Sequence, residues 1–197
     1  GHNLIGIDIS KSKIKNLKSN KLPIFEPNLV KMINSNIKKK RIYYTSDLKE
    51  GLLNSDCSLV CVGTPAKKNG STNLFHILKV AKEIAKQTKQ KKNYTVLFRS
   101  TIPPKTIEKK IIPIFKKFNN KSQIIFHPEF LREGTAIHDF FHPSRIIFGF
   151  IGKPDNKFVK KLYQNKNLNF SYFNFKTAEL IKYIDNIWHA TKVVFAN

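Results

Sequence analysis

The chain is poor in residues that would staple it or hold a metal. Its 197 residues include two cysteines, Cys57 and Cys61, in a Cys-Ser-Leu-Val-Cys run that reads as a buried strand. Four residues of strand separate two Cα atoms by roughly 13 Å, beyond disulfide reach, so both are expected to be reduced core residues. No metal site is expected from these two cysteines. No apolar run approaches the length of a membrane span and the N-terminus has no secretory pattern, so cytoplasm is the default expectation. Acidic residues are scarce, 13 against 36 Lys plus Arg, for a formal net charge of +23. Clustered cations displace phosphate counterions, which would favour nucleic acid. Here the excess is almost all Lys, scattered among Asn, Ile and Phe along the whole length. No nucleic-acid module is visible, and bidentate phosphate or base recognition favours Arg. A biased background composition accounts better for the charge, and attraction of an anionic nucleotide remains in keeping with it.

What is present is enough apolar content, 41%, for one substantial core and part of a second domain. Strand and helix signals alternate. Strands are expected over residues 3–9, 42–44, 57–62, 94–98, 123–126, 145–150 and 169–173. Helices are expected from Ser10, a candidate N-cap, to about 20, then over 28–39, 47–53, 74–87, 105–118 with an interruption near Pro113, 155–163, and from 176 onward. Strands joined by crossover helices imply an α/β fold with a mostly parallel sheet covered on both faces, and ligands placed beyond the carboxyl ends of its strands.

The last helix sorts its residues sharply. At about 100° per residue, Lys182, Asn186, His189, Val193 and Asn197 fall within roughly 80°, while Leu180, Ile181, Ile184, Ile187, Trp188, Val194 and Phe195 cover the opposite side. An amine, two carboxamides and an imidazole in one line can grip a polar, anionic ligand. The plain alternative is a solvated polar face.

The strand ends offer further candidates. Asp8, in Ile5-Gly6-Ile7-Asp8-Ile9-Ser10, can accept from both hydroxyls of an adenosine ribose, with Lys13 one turn into the next helix. The Gly-rich phosphate loop expected about 20 residues before such an acid has no counterpart in a chain that begins Gly1-His2. Gly63-Thr64-Pro65 and Arg99-Ser100-Thr101-Ile102-Pro103 are strand ends breaking into turns, where hydroxyls and backbone N–H groups can meet a ligand. The loop from Phe126 to Ala136 places Glu129 and Glu133 four apart around Arg132. Either is a candidate proton acceptor, and the alternative is a surface ion pair with Arg132.

Together, Gly6-Ile7-Asp8, Pro23-Ile24-Phe25-Glu26-Pro27, Val62-Gly63-Thr64-Pro65, Arg99-Ser100-Thr101, Pro128-Glu129-Phe130-Leu131-Arg132-Glu133-Gly134 and the final helix resemble the UDP-glucose/GDP-mannose dehydrogenase family of nucleotide-sugar 6-dehydrogenases. Trp188-His189-Ala190 and Phe195-Ala196-Asn197 look more like its GDP-mannose branch. The resemblance implies a Rossmann-like NAD-binding domain over 1–175, without its first strand and phosphate loop, then the start of a central dimerisation helix over 176–197. It implies oxidation of a sugar C6 alcohol to a carboxylate with two NAD⁺. Asp8, Lys13, Thr64, Thr101 and Glu133 would hold NAD. Glu129, Lys182, Asn186 and Thr101 would be catalytic, and Glu129, Lys182, Asn186, His189 and Asn197 would contact the nucleotide sugar. Homo-oligomers would form through the central helix. Two departures stand out: His127 replaces the family's usual Asn before Pro-Glu-Phe, and the nucleophilic Cys of the family has no counterpart, since Cys57 and Cys61 lie in a strand. This chain alone is therefore expected to be inactive. A UDP-sugar dehydrogenase and a noncatalytic basic nucleotide- or polyanion-binding module are the other readings.

Overall fold

The computed structural model describes residues 1–152, 156–164 and 168–197, and the chain divides into two units, Gly1–Ser55 with Phe130–Ser144 and Asp56–Glu129 with Arg145–Asn197. In the first unit, strand β1 (Leu4–Ile7) pairs in parallel with β2 (Ile42–Thr45). Helices α1 (Lys11–Lys18) and α2 (Leu29–Lys38) lie between them in sequence, and α3 (Leu48–Leu53) follows. Ser10 caps α1 as expected, its Oγ accepting from the Lys13 N–H at 3.3 Å. Asp47 caps α3 through the N–H groups of Lys49 and Glu50. A Cβ on Gly51 would stand 2.3 Å from Cδ1 of Ile7, so α3 packs on β1 closely enough that a side chain there would displace the Ile7 side chain.

In the second unit β3 (Cys57–Val60), β4 (Thr95–Phe98) and β5 (Gln123–Phe126) pair in parallel, in the register Cys57↔Thr95↔Gln123. Every residue of β4 is buried, which is why it reads as a continuous apolar run rather than an alternating one. Helix α4 (Phe75–Gln87), between β3 and β4, buries Ile77, Ala81, Ile84 and Ala85 at helical spacing. The interruption expected near Pro113 takes the form of a π-helical turn, Ile107–Ile111, that runs directly into α5 (Ile112–Lys117). Pro113 has no N–H to return to that turn, and the change from π-helical to α-helical bonding falls just before it. Ile107, Ile111 and Phe115 share its buried face.

The sequence predicts no helix between Ala136 and Arg145, yet α6 (Ala136–Phe141) forms there and belongs to the first unit. At six residues it is too short for a periodic signal. The chain then returns as β6 (Ile146–Phe150), α7 (Asn156–Leu162) and β7 (Phe170–Asn174). Asp155, where that helix is expected to begin, lies outside the described residues. The sheet order is β3-β4-β5-β6-β7, parallel except where β5 meets β6 antiparallel at Phe126↔Gly149. The fold is thus the Rossmann-like, mostly parallel α/β class expected. On one face, Leu97, Ile125, Phe148 and Val159 form a buried cluster, with Tyr163, Phe170 and Tyr172 packed against it.

Helix α8 (Phe175–Ala196) is capped by Asn174, whose Oδ1 accepts from the Thr177 N–H at 2.8 Å. A Cβ on Gly149 would lie 3.0 Å from Cβ of Ala178 and 3.3 Å from that of Phe126, so this glycine admits the first turns of α8 close to β5 and β6. Phe175, Ala178, Glu179 and Lys182 are buried. The apolar side of the later turns is open, with Ile187 and Trp188 each 59% exposed and Phe195 91%. Among the described residues no helix is long and apolar enough to cross a membrane.

Candidate functional site

In the first unit, β1 delivers Asp8 at its carboxyl end. Its Oδ1 accepts from the Ser10 N–H at 2.9 Å, and its Oδ2 pairs with Lys13 Nζ at 3.2 Å. The aspartate and lysine expected to act together do meet, and the acid is oriented by the turn that starts α1. Glu133 is exposed. Beside it, Gly134 takes a φ of +83° and donates its N–H to buried Glu26 at 2.9 Å. The expected alternative for this loop, a pair between Arg132 and a neighbouring glutamate, gives way to another partner. The Arg132 guanidinium grips both oxygens of Asp139, at 2.7 and 3.0 Å, and the Arg132 N–H and Thr135 hydroxyl donate to the same carboxylate. These donors hold the Asp139 carboxyl well below the usual range, the Arg132 side chain contributing most. Asp139 lies seven residues on, beyond the window in which sequence spacing finds pairs, and α6 brings it back.

In the second unit the turns after β3 and β4 are stitched together. The Thr64 hydroxyl donates to the Thr101 carbonyl at 2.7 Å, and the Ser100 hydroxyl to the Val62 carbonyl at 2.7 Å. The two strand-end turns singled out from sequence are therefore neighbours. After β5 comes Glu129, whose Oε1 is 3.5 Å from Nζ of Lys182 on α8. The lysine side chain is 7% exposed and that of the glutamate 36%, so a buried amine meets a carboxylate at the edge of solvent. Asn186, His189 and Asn197 follow on the same side of α8 and are exposed. His189 Nε2 lies 3.9 Å from Asp185, which also pairs with Arg145 at 3.3 Å. Of the polar stripe, the structure brings Lys182 to another candidate, Glu129, and leaves the later members facing outward.

Two residues that sequence reasoning passed over complete this region. Glu179 is fully buried, with its carboxylate on the N–H groups of Lys105 and Ile107. Burial pushes its carboxyl up to about 7, against the pull of those N–H groups. Tyr183 shares a 2.7 Å hydroxyl hydrogen bond with Thr72. The helical projection contained the signal for Glu179, which falls about 60° from Lys182, inside the same polar arc.

His127, at the end of β5, binds the Ile147 carbonyl through Nδ1 at 2.9 Å and the Tyr163 hydroxyl through Nε2 at 2.7 Å, and stacks on Phe148. Burial first, then Arg99, lower its pKa to about 3. The ring is therefore neutral, with Nδ1–H donating to Ile147 and Nε2 accepting from Tyr163. It anchors the β5 end that leads into Glu129 and is no acid or base. The cysteines are not the buried core pair expected: β3 ends at Val60, Cys57 is half-buried and Cys61 is exposed, although partial desolvation raises both thiols, with Arg99 opposing the effect at Cys61. Neither is a ready thiolate.

Residues 1–167 match the NAD-binding domain of the UDP-glucose/GDP-mannose dehydrogenase family. The whole chain is 37% identical to 47% of a GDP-mannose 6-dehydrogenase from Pseudomonas aeruginosa. It is 32% identical to 43% of a UDP-glucose 6-dehydrogenase from Bacillus subtilis. Among solved structures, a ternary complex of GDP-mannose dehydrogenase from P. aeruginosa superposes with a TM-score of 0.93 at 37% identity, over all of this chain and 47% of that one. A UDP-glucose dehydrogenase from Pyrobaculum islandicum gives 0.91 at 28% identity, over all of this chain and 46% of that one. The chain spans about half the length of the relatives it matches.

Proposed function

We propose, because this chain belongs to the UDP-glucose/GDP-mannose dehydrogenase family and carries its NAD-binding domain, that it serves an enzyme oxidising the C6 alcohol of GDP-mannose to the carboxylate. The observation that carries the reading is the buried Lys182 amine meeting Glu129 at 3.5 Å. An ammonium held out of water is a strong electrostatic partner for an oxygen on which negative charge develops. Lys182, with Asn186 one turn on, donates to the C6 oxygen; Glu129, partly open to solvent, takes the proton released from the C6 hydroxyl or, in the second stage, positions the water whose oxygen enters the carboxylate.

The residues present fit the cofactor. Asp8 offers a carboxylate with both oxygens already oriented toward donors, the chemistry a ribose diol needs, and Lys13 adds positive charge. Thr64, Thr101 and Glu133 supply the remaining polar contacts. NAD, when bound, supplies the hydride acceptor for two successive oxidations. His189 and Asn197 contact the sugar nucleotide from the outer turns of α8, whose exposed apolar side supports a homodimer.

The choice of GDP-mannose over UDP-glucose rests on the higher identity to the former's dehydrogenases. Cys57 lies in β3 and Cys61 just past its end, away from Lys182 and Glu129 in sequence and unlike the family's nucleophile in position, so on this reading neither supplies the nucleophile for the second oxidation and this chain by itself turns over negligibly. The test is NADH formation by the product of the complete coding sequence, with each nucleotide sugar. Two NADH per GDP-mannose is expected. Turnover of UDP-glucose alone overturns the sugar assignment, and no NADH from either overturns the activity.

A further inference from the structure

We infer that Glu179 is a positioning residue: seated on the N–H groups of Lys105 and Ile107, it fixes α8 against the segment that carries Thr101 and thereby sets where the Lys182 amine meets Glu129. The inference rests on the role given above to Lys182 and Glu129.

Three features of the geometry support it. Glu179 and Lys182 are three residues apart on α8, so both project from one side of the helix, and both are buried. The carboxylate uses both oxygens on one short stretch of backbone, Oε2 on Lys105 and Oε1 on Ile107. Lys105 is held at a φ of +72°, a conformation that non-glycine residues keep only where surroundings impose it. The grip is thus on a segment shaped to receive it.

The third feature is a closed ring of contacts within the second unit. From α8, Glu179 reaches Lys105 and Ile107. The chain runs back from there to Thr101, whose carbonyl accepts from Thr64. The turn carrying Thr64 runs on to Thr72, which returns to α8 through the Tyr183 hydroxyl. Lys182 sits between the two grips, next to Tyr183 and one turn from Glu179. A helix held at one point can roll; held at two points four residues apart, by two different loops that are themselves bonded together, it cannot roll without breaking one of them. A buried carboxylate is a costly anchor compared with an apolar contact, and it supplies what an apolar contact lacks, a direction. Glu108 on the π-helical turn also acts on the Glu179 carboxyl and opposes its ionisation.

The test reads Lys182 directly. In the wild-type chain, Glu129→Gln should move the Lys182 side-chain ¹³Cε resonance; in a Glu179→Gln background the movement should fall to less than half. Tyr183→Phe, which removes only the other grip, is the companion variant and should reduce the response by a smaller fraction. In the complete enzyme, Glu179→Gln should lower kcat about tenfold with KM changed less than twofold. If Glu179→Gln frees the Lys105 and Ile107 amides to exchange while Lys182 still responds fully to Glu129→Gln, Glu179 is a plain anchor and the inference falls. If Glu179→Gln does not fold, a full Lys182 response in Tyr183→Phe overturns it. The resonance needs no turnover, so an enzyme inactive on nucleotide sugars with the expected Lys182 behaviour would sink the catalytic reading alone.

Discussion

Replacing Glu179 with Gln should change how the stability of this chain depends on pH, and the sign follows from burial. The carboxyl rises from 4.5 to about 7 on folding, so the native state holds its proton more tightly than the unfolded chain does. Its contribution is therefore greatest below pH 4.5, declines as pH rises, and is gone above about 7. A carboxyl moved this far carries on the order of 3 kcal/mol between its two protonation states. His127 works the other way: buried and neutral, with its pKa lowered to about 3, it costs stability as pH falls below 6.5. The wild-type curve alone mixes the two. The difference between wild type and Glu179→Gln isolates Glu179, because His127 is common to both. Urea unfolding at pH 5 and pH 8 should show the wild type losing about 2–3 kcal/mol relative to the variant between those values. A difference that stays within about 0.5 kcal/mol across the range would refute the claim that a buried carboxyl at this position titrates near neutrality.

His127 should keep one tautomer, with the proton on Nδ1, and show no titration between pH 5 and 8 in ¹⁵N-edited spectra; a midpoint near 6.5 would contradict its burial against Ile147 and Tyr163. Phe148→Ala removes a fully buried ring at the centre of the aromatic cluster and should cost about 3–5 kcal/mol in chemical denaturation. A loss under 1 kcal/mol would mean that the cluster does not hold the sheet.

Much of this was legible in the sequence for a physical reason: periodicity reports which side of an element is buried. The 3.6-residue repeat placed Lys182 on the polar line of α8, and the strand-end positions of Asp8, Thr64, Thr101 and Glu129 followed from alternation of strand and helix. Pairing across loops was not legible. Arg132 chose Asp139 rather than an adjacent glutamate because α6, too short to announce itself, folds back. The antiparallel meeting of β5 and β6 depends on the path of residues 130–144, which no local pattern encodes. Glu179 falls in the polar arc, yet nothing in its sequence neighbours reveals that the Lys105–Ile107 backbone will come down on it. Pro113 announces a break in regular helix, but not that the break is a π-helical turn over Ile107–Ile111.

The most direct measurement is steady-state kinetics of Lys182→Ala in the complete enzyme with GDP-mannose and NAD. If the buried amine stabilises charge on the C6 oxygen, kcat should fall by about 10²–10³ while NAD affinity stays within twofold. A variant that retains more than a third of wild-type kcat would contradict the account.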